Sequence, residues 1–231
     1  MKTEGGVNGA ELAFFETVGF RSFNFALLQK LNAIEHAITG YSELSLQATD
    51  KKIPKKLQQS LTELTTVVAT LQKLLELQRQ YRDDEVSTVH PEILLHRLHS
   101  QFGWPKNSAT TYRNLLVAVA ENTLPLILAQ LFELEKVPFK GMQMSFRRRD
   151  SSVVMRFFTP KFLWTKSSVY SVYHQKNFCT PQLSDSLEII LLRANLCILQ
   201  KYHIELSITA LQPQSLYVRL PSVRQLQAFA L

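Results

Sequence analysis

Residues 23–44 read FNFALLQKLNAIEHAITGYSEL. Leu27, Leu31, Ile34, Ile38 and Tyr41 follow a 4-3-4-3 spacing, the 3.5-residue seam of a helix that buries one narrow stripe. With Leu31 and Ile38 as a positions and Leu27, Ile34 and Tyr41 as d, Gln29 and His36 both fall at f, the face turned furthest from the seam. Ser45, flanked by Leu44 and Leu46, ends the register. Downstream, Leu57, Leu61, Leu64, Val68, Leu71 and Leu75 repeat the alternation, so a second helix is expected. Residues 49–56 hold Asp50, four lysines and Pro54, a polar turn that admits only an antiparallel hairpin. Two helices cannot cover both apolar stripes. Either the hairpin packs on the rest of its own chain, or two copies pair as a four-helix bundle with twofold symmetry, and the homodimer is the expectation here.

On the N-terminal side, residues 1–18 mix Gly, Asn and Glu with Leu12, Phe14 and Phe15 and read as a loosely held arm. On the other side the periodicity resets at Tyr81-Arg82-Asp83-Asp84-Glu85. The expected division is therefore a helical hairpin dimerisation domain over 19–84 and a second domain over 85–231. The second domain reads as a strand at 86–89, a helix near 91–102 with Pro91 in its first turn, and a Gly103-Trp104-Pro105 loop. A long helix is expected from Ser108, as N-cap, to about Glu135. Strands at 140–149 and 152–158, joined at Asp150-Ser151, form a hairpin. Residues 159–182 look irregular. A helix from Ser184 or Asp185 to about Tyr202 and strands at 204–210 and 215–220 close the chain. Hairpin-type strands and helices in this order predict an α+β chain, whose second domain is an α/β two-layer sandwich.

Composition narrows the chemistry. The chain has 231 residues, 45% hydrophobic and 19% charged, which suits compact folded domains and not disorder. Its seven glycines stand at 5, 6, 9, 19, 40, 103 and 141, so none lies in the last 90 residues. A backbone that wraps phosphates closely needs residues without a Cβ, and from residue 142 onward a P-loop, a dinucleotide fingerprint or a Gly-rich nucleotide lid is excluded. Two cysteines, Cys179 and Cys197, and no secretory n-region or h-region at the start point to a reducing cytoplasm. The most apolar stretch, 187–199, is interrupted by Glu188, Arg193 and Asn195, which marks a buried helix and not a membrane span. The net charge of +7 is concentrated: residues 137–183 carry eight Lys and Arg against Asp150 alone.

The order of parts resembles the histidine-kinase core, a dimerisation and phosphoacceptor hairpin joined to an ATP-binding domain. Phe23 to Leu44 is similar to the family's first helix, most closely over Ile38-Thr39-Gly40-Tyr41-Ser42-Glu43-Leu44. Val119-Ala120-Glu121-Asn122-Thr123-Leu124 resembles the N-box helix, and residues 192–221 are similar to the last helix and strands. The resemblance covers about residues 20–221, and the departures from it matter more than the matches. The phosphoacceptor position holds Gln29, followed by Lys30 where an acidic residue is usual, and an amide has no ring nitrogen to take a phosphoryl group. Sliding the alignment by four residues places the position on Phe25, which is equally inert. Only Asn122 is left to serve as the metal-bridging asparagine, with Ala118 one turn before it. Pro125, shortly after Asn122, is expected to bend the helix. The adenine-reading Asp-x-Gly-x-Gly box is replaced by Thr159-Pro160-Lys161-Phe162, and the lid by Thr180-Pro181-Gln182-Leu183-Ser184. The resemblance thus implies a degenerate nucleotide site, with Glu121 and Asn122 as its relic, no cofactor, no metal and no ATP-dependent kinase activity.

Histidine phosphotransferases of the same dimeric architecture also lose the nucleotide site but keep a histidine. His36, one heptad below Gln29 and beside Glu35, is the alternative phosphoacceptor; the plainer reading is a histidine facing water. His90, His96 and His99 have no cysteine near them and no carboxylate at matching spacing, so they read as ordinary histidines and not zinc ligands. No nucleophile elbow occurs. In the basic segment, Arg147, Arg148 and Arg149 end a strand, and Phe157, Phe158, Phe162, Trp164, Tyr170, Tyr173 and Phe178 are interleaved with the remaining cations. That pattern fits nucleic acid, with phosphates on the cations and bases on the rings, an acidic receiver-domain surface, or an aromatic core with a solvated charged rim. The resulting expectation is a cytoplasmic, non-catalytic histidine-kinase-like homodimer. It would act as an adaptor or regulator in two-component signalling, binding receiver domains or a kinase through Gln29, Lys30, Asn32, Glu35 and His36, with Arg147, Arg148 and Arg149 as a second contact. A phosphotransferase using His36 and a nucleic-acid-binding dimer are its alternatives.

Overall fold

The computed structural model describes residues 20–47, 52–104, 116–138, 142–149, 152–160, 162–182, 184–209 and 214–221. The N-terminal arm, Ser108 with its expected cap, the Asp150-Ser151 turn, Lys161 and Leu183 lie outside them. The described residues form an α+β chain of six α-helices and two antiparallel sheets. They group into two compact units, Met1–Leu75 with Cys179–Ala194, and Glu76–Phe178 with Asn195–Leu231.

In the first unit lies α1, Phe20–Gln47, followed by α2, Lys52–Asp83, which continues beyond the unit. Lys56 Nζ sits 5.5 Å from the centre of the Tyr41 ring, a contact that joins the end of α1 to the start of α2 beside their short connection. Helix α2 begins at Lys52, earlier than its polar start implied, and Pro54 occupies the first turn, where its missing N–H costs no intrahelical bond. The run Thr65-Thr66-Val67-Val68 is a poor helix former by its β-branching. Thr62, Thr65, Thr66 and Thr70 satisfy their hydroxyls along the helix itself, donating to the carbonyls of Gln58, Leu61, Thr62 and Thr66 at 2.9–3.0 Å.

The heptad seam of α2 needs correction. In this unit the buried residues of α2 are Ser60, Val67, Thr70 and Leu74, followed by Leu77 beyond it, so the 60-67-74 row lies one position before the expected Leu61-Val68-Leu75. Leu57, Leu64 and Leu71 are half-buried, and Leu61, Val68 and Leu75 are 48%, 43% and 50% exposed. The apolar stripe is wider than the side the unit covers, so one flank of it faces outward.

The second unit contains β1 (Val86–Val89), α3 (Pro91–Phe102), β2 (Val117–Ala120), α4 (Thr123–Leu134), β3 (Gln143–Arg149), β4 (Ser152–Phe158) and α5 (Ser168–Tyr173). It is completed by the end of α6 (Leu187–Lys201), β5 (Glu205–Ile208) and β6 (Ser215–Leu220). Helix α3 starts on Pro91 and stops at Gly103, whose φ of 66° lets its own N–H and that of Trp104 close back on the carbonyls of His99 and Leu98. Strands β1 and β2 pair antiparallel, and the four-stranded sheet runs β3-β4-β6-β5, all antiparallel.

Four expectations are corrected between residues 117 and 187. The long helix to Glu135 is broken: residues 117–120 are a strand, and the helix begins only at Thr123. All four residues of Val117–Ala120 are buried, so the run lacks the one-sided periodicity that separates strand from helix, and pairing with Val86–Val89 decides it. The segment resembling the N-box is accordingly strand, turn and first helical turn. Pro125 does not bend α4, because it stands third in the helix, among residues whose N–H groups have no intrahelical acceptor. Residues 159–182 are not wholly irregular, since Trp164–Lys166 is a 3₁₀ turn and α5 follows it, capped by Ser167. Helix α6 starts at Leu187, two or three residues later than expected, because Asp185 is held in a turn with Gln182.

The core of this unit is aromatic. Phe132 on α4 meets Trp104, Phe157 and Trp164 at centroid distances of 4.6, 5.1 and 5.4 Å, fixing α4 against the inner face of the four-stranded sheet. Met144, Phe146, Val153, Met155, Leu206, Leu216, Val218 and Leu220 fill the rest of that face.

Candidate functional site

Asn122 is the N-cap residue of α4, preceded by Glu121 in the turn after β2. Its surroundings are built from three elements. Asp84, at the entry to β1, accepts from the backbone N–H groups of Asn122 and Thr123 at 2.7 and 2.6 Å, so its carboxylate serves as the anion at the helix N-terminus. It also accepts from Asn122 Nδ2 at 3.2 Å. From α3, Arg97 donates Nη1 to Asn122 Oδ1 in a short hydrogen bond and Nη2 to Glu121 Oε2 at 2.6 Å. Tyr202 lies against the ring of Tyr81 at 5.4 Å, and burial, helped by Tyr81, pushes its phenol well above the usual range, so it stays neutral.

This arrangement defines what Asn122 can do. A metal-bridging asparagine offers its Oδ1 lone pairs to a divalent cation, and here a guanidinium stands at that oxygen. A divalent ion would face the Arg97 charge at close range, a repulsion that a part-buried setting strengthens. Asp84, Arg97, Glu121 and Asn122 together form a structural lock that fixes the start of β1 to the start of α4. Among the described residues, no group of three or more His, Cys, Asp or Glu is arranged to hold a metal ion. His99 Nδ1 lies 2.7 Å from the Trp104 carbonyl, within the α3 cap, while His90 and His96 are exposed. The strand β4 runs directly into buried Thr159.

The expected partner-contact residues of α1 lie on one helix. Gln29, Asn32, Glu35 and His36 are exposed, and Lys30 is half-buried. Arg147 and Arg149 are exposed on β3; the Arg148 backbone pairs with Val153, and its side chain lies outside the described set.

The structure sorts the aromatics of the basic segment, which spacing alone left mixed. Phe157 and Trp164 are core, at 0% and 1% exposed. Phe158, Phe162, Tyr170, Tyr173 and Phe178 are half-buried. Tyr217, outside that segment and not singled out from the sequence, joins Phe158 on the outer surface of the sheet. Its signal was the alternation of Ser215-Leu216-Tyr217-Val218-Arg219-Leu220, which marks one apolar and one polar face.

Helix α5 is tied to the core by Glu135, whose Oε1 accepts from the Val169 N–H at 2.7 Å. Burial raises its carboxyl above the ordinary 4.5, and the backbone bonds from Val169 and Ser168 pull it partly back. Between 4.5 and the raised value the folded chain therefore holds a proton that the unfolded chain has released. This contribution to stability is fully present below the unfolded value and is lost as pH rises through the folded one. Glu135→Gln keeps an acceptor and abolishes the ionisation. Urea melts at about pH 4 and about pH 7 are expected to show the variant gaining on the wild type at the higher pH; parallel profiles refute the assignment.

No protein-family model and no curated protein matches the sequence. Among solved structures the chain is similar to the histidine kinase AdeS of Acinetobacter baumannii, at 12% identity and a TM-score of 0.44, over 83% of this chain and 96% of that one. It is also similar to a bacterial phosphotransferase, at 8% identity and a TM-score of 0.40, over 86% of this chain and 94% of that one. Among the described residues, no helix is long and apolar enough to cross a membrane.

Proposed function

We propose that the chain is a homodimeric, non-catalytic adaptor of two-component signalling, in which residues 19–84 dimerise, residues 85–231 form a degenerate ATPase-like domain, and α1 presents a polar face to a receiver domain or a kinase. The observation that carries the dimer is the outward row Leu61, Val68 and Leu75 on α2, three large apolar side chains seven residues apart and about half exposed. A second copy covers such a row by the same heptad geometry. The adaptor role is supported by the resemblance of residues 23–44 to a phosphoacceptor helix with Gln29 at the reactive position. The Arg97 guanidinium on Asn122 Oδ1 supports the loss of nucleotide chemistry. The contact surface in this reading is Gln29, Asn32, Glu35 and His36, with Lys30 at its margin.

Val68→Glu combined with Leu75→Glu tests the dimer. Both side chains are already outside the hairpin core, so helicity by circular dichroism is expected to stay unchanged while the mass by light scattering falls to that of one chain. A wild-type protein that is already monomeric at micromolar concentration refutes the dimer. Incubation with phosphorylated receiver domains tests the adaptor role, with complex formation and no label transfer as the expected result. Transfer of label that His36→Ala abolishes replaces the adaptor with a phosphorelay enzyme.

A further inference from the structure

The strand register of the four-stranded sheet puts every second residue on one face. Opposite the apolar inner face, β3 contributes Arg147 and Arg149, β4 Arg156 and Phe158, β6 Tyr217 and Arg219, and β5 Glu205. Arg147 and Arg149 are exposed; Arg156, Phe158, Tyr217 and Arg219 are partly so. Among the described residues, four guanidiniums thus share this face with a single strand carboxylate, which Arg219 meets at 3.3 Å in an exposed pair. Antiparallel sheets that face water commonly do so with polar residues, but here the two inner strands of the sheet carry aromatic rings.

Arg156 lies between those rings. Its guanidinium carbon is 5.8 Å from the Phe158 centroid and 6.0 Å from that of Tyr217, while its Nε donates to Ser215 Oγ at 3.0 Å. Tyr217 pairs directly with Arg156, and Phe158 with Ser215, so the rings are diagonal neighbours, about 7–8 Å apart at their Cα atoms. At the other end of the same strands, Arg147 and Arg219 both flank Val154, and Arg149 flanks Ser152. The face therefore grades from Phe158 at one end to Arg149 at the other, about 20 Å along β4, with Tyr217 and Arg219 about 7 Å apart between them on β6.

We infer that this outer sheet face binds single-stranded nucleic acid, with bases stacked on Phe158 and Tyr217 and phosphates held by Arg147, Arg149, Arg156 and Arg219. An acidic protein surface would satisfy the arginines but has nothing that requires the rings. A single strand supplies both phosphates and π faces, the pairing that sequence-tolerant single-strand binders use. A duplex hides its bases in the stack, and the rings on a sheet surface cannot reach them. All four cations are Arg, whose planar fork grips phosphate in bidentate fashion and also stacks, which Lys does not. The face belongs to one protomer and needs no dimer.

Fluorescence anisotropy with labelled oligouridylate and oligothymidylate tests this, with a duplex and polyglutamate as competitors. The expected result is salt-sensitive binding of single strands that the duplex and polyglutamate displace poorly; preference between the RNA and DNA probes identifies the natural strand. Arg147→Ala with Arg149→Ala should reduce the log–log salt slope by about 1.4, or about 0.7 for each phosphate contact. Phe158→Leu with Tyr217→Leu keeps apolar bulk and removes the π faces; affinity should fall about tenfold or more with an unchanged slope. The Val68→Glu, Leu75→Glu protein should retain binding per chain, which separates this site from the dimer. Absence of binding at low salt, binding indifferent to both sets of substitutions, or equal displacement by polyglutamate overturns the inference, the last in favour of an acidic protein partner.

Discussion

Phe132→Ala is expected to cost about 3–5 kcal/mol of stability, a large share of what a domain of this size commonly has. The ring is 1% exposed and stands between two tryptophans and a phenylalanine, Trp104, Trp164 and Phe157. Those three come from the α3 cap, the 3₁₀ turn and β4, so the cavity left behind has walls in separate elements that cannot collapse together. The T-shaped contacts with Phe157 and Trp164, at interplanar angles of 68° and 69°, add edge-to-face attraction that an aliphatic side chain does not replace. Phe132→Leu should recover part of the loss by refilling the volume. Equilibrium urea unfolding monitored by tryptophan fluorescence measures both, and a loss under about 1 kcal/mol for the alanine variant would show that this cluster is not the core of its unit.

Asp185→Ala should be comparably damaging, through charge instead of volume. Arg193 on α6 has a side chain 2% exposed, and Asp185 is its carboxylate partner, at 2.7 Å to Nε and with its own side chain 10% exposed. Removing one member of a buried pair leaves the other desolvated without its counter-charge, which costs about 3–5 kcal/mol. The same carboxylate accepts the Gln182 N–H at 2.8 Å, so the turn leading into α6 loosens as well. Replacing both residues, Asp185→Ala with Arg193→Met, should cost less than the single change, because the charge that needed solvation is then gone. Urea melts of the single and double variants decide the matter. A double variant as unstable as the single one places the loss in the turn and not in the ion pair.

The parts of this chain legible in the residues are those whose signals are local. Pro91 and Gly103 bracket α3 because each requires a backbone angle that a helix end supplies. The strand at 152–158 is legible from the turn signal that precedes it, and the one at 215–220 from its alternation. Residues 117–120 were not legible as a strand, since VAVA buried on both faces carries no phase, and its partner Val86–Val89 is about thirty residues away in sequence. The resemblance to an N-box helix failed at that point for the same reason.

The candidate site divides along the same line. The f-face positions Gln29 and His36 on α1 follow from helical geometry once the seam is recognised, and the loss of glycine after residue 141 is plain in the letters. Where Asn122 points its oxygen is not, because Arg97 and Asp84 reach it from 25 and 38 residues away. Nor does spacing tell that Phe157 is core and Phe158 surface, or that Tyr217 completes a face with Arg156.

Periodicity, caps, charge and missing glycines are properties of a segment, set by torsion angles and side-chain volume within a few residues, and they specified the hairpin and the α+β class. Which flank of an apolar stripe is covered, which polar atoms are consumed by partners and which aromatic rings face outward depend on distant pairings. Burial and hydrogen-bond satisfaction are settled by the whole packed arrangement, so the outward Leu61-Val68-Leu75 row of α2, the Arg97–Asn122 lock and the arginine–aromatic sheet face emerge only when the chain is folded.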